Sequence, residues 1–173
     1  MEILELIEII KQDRNCEVYP AQPMQNLPQN IPDDVKIFYR ETNGIKLFSH
    51  EDYSIEIVPS HQFIPINTYL FSDASTDLEL DHDDNSHQWF LIAKVDEMCQ
   101  YISIDTAQGK LGQCYDSFLE THATIGDSPI IAQNFTELIY QLYLNKGQHW
   151  YWLQDDFQYL GDAYDPISPN QNI

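Results

Sequence analysis

The chain has 173 residues, with 28 Asp and Glu against 8 Lys and Arg, for a formal net charge of −20. That length suits one compact domain, and its 43% hydrophobic and 13% aromatic content can fill a core that a disordered chain could not. A negative field of this size repels nucleic acid and anionic membrane, which are bound through clustered Lys and Arg, and attracts basic partners.

The spacing of Ile3, Leu6, Ile7 and Ile10, with Glu2, Glu5 and Glu8 between them, predicts a helix over residues 2–12. Pro20, Pro23 and Pro28 then break the pattern, and residues 16–31 read as a polar connector. Pro32 opens a second helix, since a first-turn proline loses no hydrogen bond there. Asp33 and Asp34 suit its positive end. Val35, Phe38 and Tyr39 make its buried face. Asn43-Gly44 is the predicted stop, because both residues tolerate a left-handed cap.

From there the period changes to two. Ile45 to Phe48 and Ile55 to Ile57 read as strands, the latter stopped by Pro59. Gln62 to Ile66 is a helix start or an extended link. Residues 72–87 form a long polar loop. Charge is regional here: residues 47–93 contain nine acids and no Lys or Arg, and residues 47–173 hold twenty acids against three basic residues. Trp89 to Lys94 (WFLIAK) is the most apolar strand and the expected sheet centre. Gln100 to Ile104 alternates, and Gly109 to Tyr115 is its expected hairpin partner. A last helix opens at Asn134, with Glu137 completing a capping-box-like pattern, and Gly147 ends it. Residues 148–173 are aromatic and acidic without Lys or Arg. They are expected to pack back on the domain, with a frayed end.

Little in the sequence supports bond-making chemistry. Asp81-x-Asp83-x-Asn85-Ser86 resembles the start of a calcium loop, but its sixth position is Ser86 and its twelfth is Ile92, where glycine and a bidentate Glu are needed. His82 and His87 have no metal-binding spacing. No GxSxG elbow or phosphate-cradling loop occurs. Cys16, Cys99 and Cys114 are an odd number without CxxC spacing, which suits a reducing compartment. Cys99 and Cys114 read as strand residues. The N-terminus lacks a signal peptide's basic start, and no apolar run is long enough to span a bilayer. The expectation is a cytoplasmic protein with no catalytic residue, metal or cofactor.

Four pieces in order carry a family resemblance. They are Ile31-Pro32-x-x-Val35-x-x-Phe38-Tyr39-x-x-x-Asn43-Gly44, then Ile55–Val58 with Phe63, Ile64 and Asn67, then WFLIAK with QYISIDTAQGKLGQCY, and finally Ile131-Ala132-x-x-Phe135-x-Glu137-Leu138. Over about residues 24–145 the chain resembles the SUKH superfamily, which includes bacterial immunity proteins and yeast regulators of cell-wall synthesis. Asn134 stands where that pattern usually has Ser. The loop 72–87 and the segment after Gly147 depart from it. The resemblance implies an α+β fold, a mainly antiparallel or mixed sheet flanked by N- and C-terminal helices. It divides the chain into a domain over residues 1–147 and an extension over 148–173. It also implies a binding protein, not an enzyme.

Combined with the charge, the expected role is neutralisation of a basic toxin domain, such as a nuclease, by stoichiometric binding. Regulation or scaffolding of the cell's own enzymes is the alternative. The expected footprint is Asp73, Asp77, Glu79, Asp81, Asp83 and Asp84, with Glu51, Asp52 and Glu56 nearby in sequence. The run His149 to Trp152 reads first as a satellite core under the last helix and, in the alternative, as an interface hot spot with Trp150 or Trp152 as the aromatic anchor.

Overall fold

The structure, a computed structural model, describes residues 1–23, 27–72 and 84–167. Among these, seven strands form one sheet whose spatial order is the chain order. They are β1 (Glu17–Pro20), β2 (Thr42–Leu47), β3 (Ile55–Ile57), β4 (Trp89–Val95), β5 (Gln100–Asp105), β6 (Cys114–Asp116) and β7 (Ile130–Ala132). Every neighbouring pair is antiparallel. The WFLIAK strand is the middle one, as expected. The fold is α+β, and the helices described are α1 (Ile3–Gln12), α2 (Asp33–Glu41), α3 (Ile66–Phe71) and α4 (Phe135–Asn145).

The sheet separates two cores. On one face α1, α2 and α4 bury their apolar stripes, including Leu6, Ile7, Val35, Phe38, Leu138 and Ile139, against Ile45, Ile57, Ile92, Ile102 and Ile104. Each such side chain removed from water contributes about 1.5–3 kcal/mol. Phe38 and Phe135 meet edge to face at 5.0 Å, joining α2 to α4. On the other face a smaller core gathers Val58, Ile66, Trp89, Leu91, Tyr101, Tyr115 and Ala163. Strand β4 serves both. Trp89 and Leu91 point to the smaller core and Ile92 to the larger. A register shift between Leu91 and Ala93 then changes the phase, so Ala93 and Val95 also face the helices.

Several expectations are corrected. The stretch expected as a connector contains β1, a short edge strand paired with β2. The second helix ends at Glu41, and Thr42 is already extended, so Asn43-Gly44 is strand and not cap. Gly44 has φ +104, and a Cβ there would lie 2.7 Å from the Ile57 carbonyl oxygen, so glycine allows β2 and β3 to approach. Asn43 Oδ1 accepts hydrogen bonds from Ser60 N (3.1 Å) and Oγ (3.0 Å), fixing the chain after β3. The hairpin partner of β5 is only Cys114–Asp116, since residues 109–113 are spent on a turn in which Gly112 N donates to Asp105 O. Cys99 lies in a turn at φ +51, outside any strand. Strand β7 was not anticipated. Around Gln62 the chain makes a single turn (Ser60–Gln62) before α3. Asn134 caps α4, accepting from Glu137 N at 2.8 Å, and Lys146 takes the left-handed position one residue before Gly147.

The segment after Gly147 lies against the sheet. Trp150 and Trp152 stack with centroids 5.3 Å apart and belong to the larger core. Tyr151 Oη donates to the Ile131 carbonyl at 2.7 Å. Farther along, Ile130 N donates to Gly161 O and Ala163 N to Ser128 O, which occupies the outer edge of β7.

Candidate functional site

Of the expected footprint, Asp73, Asp77, Glu79, Asp81 and Asp83 lie outside the described residues, as does His82. Asp84 opens a single helical turn (Asn85–Gln88). Its Oδ1 accepts from Ser86 N at 2.8 Å and from Tyr164 Oη at 2.9 Å, which ties the start of that turn to the C-terminal segment. Glu51 and Asp52 are exposed in the turn after β2, and Gln148 donates to Glu51 Oε2 at 3.0 Å. Trp150 and Trp152 are only 6% and 5% exposed. Trp152 Nε1 donates to Asp116 Oδ2 at 2.9 Å, and Gln100 Nε2 donates to Asp116 Oδ1 at 2.6 Å. Burial raises the Asp116 carboxyl above its ordinary range, against the lowering effect of these donors.

The few positive charges beyond residue 47 are largely engaged. Lys94 Nζ reaches Asp96 Oδ2 at 2.8 Å and Tyr69 Oη at 2.9 Å. Lys110 Nζ donates to the carbonyls of Ala163 and Asp165, holding down the C-terminal segment. With Lys94 spent on Asp96 and Lys110 on backbone carbonyls, neither is available to offset the exposed Glu97, Glu120, Asp127, Asp155, Asp156 and Asp165. The acidic character of this part of the chain is therefore carried on its surface.

A polar cluster on the smaller core was missed by sequence reasoning. His122 lies 2.7 Å from Asn67 Oδ1 through Nε2, and Asn67 Nδ2 donates to Ser86 Oγ at 2.9 Å. The pair joins α3, the Asn85–Gln88 turn and the loop after β6. Burial pushes the His122 imidazole down to about 4. Nearby, Tyr115 Oη donates to Asp105 Oδ2 at 2.7 Å, and burial raises the Asp105 carboxyl. His122 and Asn67 are distant in sequence with no motif between them, so only the fold pairs them.

A groove of about 490 Å³ runs between α4 and the C-terminal segment. Its lining includes Glu137, Leu144, Asn145, Tyr151, Asp156 and Phe157. Among the described residues no group of three or more His, Cys, Asp or Glu could hold a metal ion, and no helix is long and apolar enough to cross a membrane.

These features define an acidic α+β domain built on an antiparallel meander, with three helices on one face and its C-terminal segment folded back along the last strand. The chain belongs to the SMI1 / KNR4 family (SUKH-1), whose model matches residues 24–141. It is also 37% identical over 169 residues to the "Immunity protein YokJ" of Bacillus subtilis (strain 168), an alignment covering 96% of this chain and 98% of that protein.

Proposed function

We propose that this chain is an immunity protein, which binds one cognate protein toxin and blocks it without turning it over. The observation that carries this reading is the likeness to a protein named as an immunity protein, which runs over nearly the whole of both chains. The partner's chemistry follows from charge. A toxin that grips phosphate, such as a nuclease, presents Lys and Arg around its cleft, and carboxylates on a rigid sheet domain can occupy that cleft in place of phosphate. Asp73, Asp77, Glu79, Asp81, Asp83 and Asp84 form the proposed footprint, with Glu51, Asp52 and Glu56 nearby in sequence. Trp150 and Trp152, at 6% and 5% exposure, hold the acidic C-terminal segment against the larger core. Charge of this kind mainly raises the rate of encounter and selects the partner. The proposed place of action is the cytoplasm of the producing cell.

The test is co-expression with the C-terminal domain of whatever protein the neighbouring gene encodes, scored for rescue of growth. Rescue together with a 1:1 complex is the expected result. An association rate that does not change between low and high salt would remove the electrostatic mechanism. Toxicity undiminished by the intact chain would remove the immunity reading and favour a role on the cell's own enzymes.

A further inference from the structure

We propose that the groove between α4 and the C-terminal segment is a docking site for an arginine or lysine side chain of the protein partner, with the partner's neighbouring apolar residue seated on the groove's rim. The inference rests on the immunity reading for the partner's identity, but not for the groove's chemistry.

The groove's volume of about 490 Å³ exceeds what one side chain needs, so it can take a short protruding stretch of a partner. Two carboxylates, Glu137 from α4 and Asp156 from the C-terminal segment, stand among its lining residues, and none of those residues is Lys or Arg. Residues 148–167 bring no Lys or Arg to the segment that forms one wall, where His149 also lines the groove. Glu137 Oε2 accepts from Gln133 N at 2.8 Å, which holds the carboxylate in place without neutralising it.

A second observation is independent of these charges. Asn145, also in the lining, spends its amide nitrogen on the His149 carbonyl, and its Oδ1 is buried with no hydrogen-bond partner. A buried amide oxygen left unpaired is costly. Here it adds the negative end of a dipole to the wall of a groove that already holds two carboxylates. A guanidinium or ammonium with an aliphatic stem answers both halves of the lining, because its head suits the two carboxylates, with the buried Asn145 oxygen adding only its field, and its stem suits Leu144, Phe157 and the Tyr151 ring. Leu144, at 53% exposure, is an apolar residue waiting on the rim. A second copy of this chain is a poor occupant, since two bodies of charge −20 repel.

The groove is separate from the surface around Asp84. Ile131, which lines the groove, faces the larger core, whereas Tyr164, which holds Asp84, packs on the smaller one. A partner held at the groove thus approaches from the helical side of the sheet.

The test uses the full chain in two assays. In the first, isotope-labelled protein is titrated with acetyl-Leu-Arg-Leu amide and with the same peptide carrying uncharged citrulline in place of Arg. Shifts centred on the Asn145 side-chain amide, Tyr151 and Gln154, seen with Arg and absent with citrulline, are expected. They should be lost in the Glu137→Gln/Asp156→Asn variant, whose fold is checked by its unchanged spectrum elsewhere. Shifts spread evenly over the acidic surface, equal shifts with citrulline, or self-association through the groove would overturn the proposal. In the second, the same double variant is compared with wild type for affinity to the toxin domain of the co-expression test. A loss of about tenfold or more is expected of a contact of this kind. Wild-type rescue with equal affinity in the variant would overturn the groove while leaving the immunity reading standing. Failure of wild type to rescue would overturn the immunity reading, and the peptide titration would still decide the groove.

Discussion

The Trp152 indole and the Asp116 carboxylate, 2.9 Å apart, join the C-terminal segment to strand β6. Asp116 is 8% exposed, and its other oxygen is taken by Gln100. Trp152→Phe keeps an aromatic ring but withdraws one donor from a buried carboxylate, and should cost about 1–3 kcal/mol in urea unfolding. Trp152→Ala also opens a cavity beside Trp150 and should cost about 3–5 kcal/mol. A chain ending at Lys146 loses both indoles from the core. It is expected to bind a hydrophobic dye and to lose its cooperative melt.

Gly44→Ala should destabilise strongly for so small a change. The new methyl meets the Ile57 carbonyl at 2.7 Å, and φ +104 disfavours any side chain. A loss of about 2 kcal/mol or more is expected, read as a lower thermal midpoint.

His122 makes stability depend on pH in a defined direction. Its contact to Asn67 Oδ1 places the proton on Nε2, since Oδ1 can only accept, and leaves Nδ1 buried and unpartnered. Protonation would put a charge there, so its folded-state value falls to about 4 from 6.5. Stability from this group is fully present above pH 6.5 and declines as pH falls from there toward 4, by up to about 3 kcal/mol. Asp105 and Asp116, whose carboxyls are raised by burial, act in the opposite sense at the acid end. The comparison that isolates the histidine is therefore His122→Gln against wild type. The variant should lose the slope between pH 6.5 and 4, measured by urea unfolding at several pH values.

Asn134→Ala removes the side chain that accepts from Glu137 N and should cost about 1 kcal/mol. Asn134→Ser keeps a capping oxygen and should remain within about 0.5 kcal/mol of wild type by the same measurement.

Periodicity made the long elements legible. The stripe of Ile3, Leu6, Ile7 and Ile10, the helix after Pro32, the apolar run from Trp89 and the Asn134 cap are each written in adjacent residues, where the physics of a helix face or a buried strand repeats every few positions. What stayed hidden was decided at a distance. Strand β1 is four residues of mixed polarity that become a strand only because β2 offers an edge. Asn43-Gly44 has the composition of a helix cap, but tertiary contact wins: Ser60 engages the asparagine, and the Ile57 carbonyl needs the glycine's missing side chain. The excess of acid was plain from composition. The groove walls were not, because Glu137 and Asp156 are nineteen positions apart and come to line one groove only when the C-terminal segment folds back.

Because the sheet follows chain order, each strand finds its neighbour by closing a local loop, and pairing can advance as the polypeptide is made. The larger core does not finish on that schedule. It awaits Trp150 and Trp152, which arrive only after the whole meander and its last helix have been synthesised. A chain free only as far as residue 149 would therefore hold all seven strands around an open seam, which closes once the two indoles are in place.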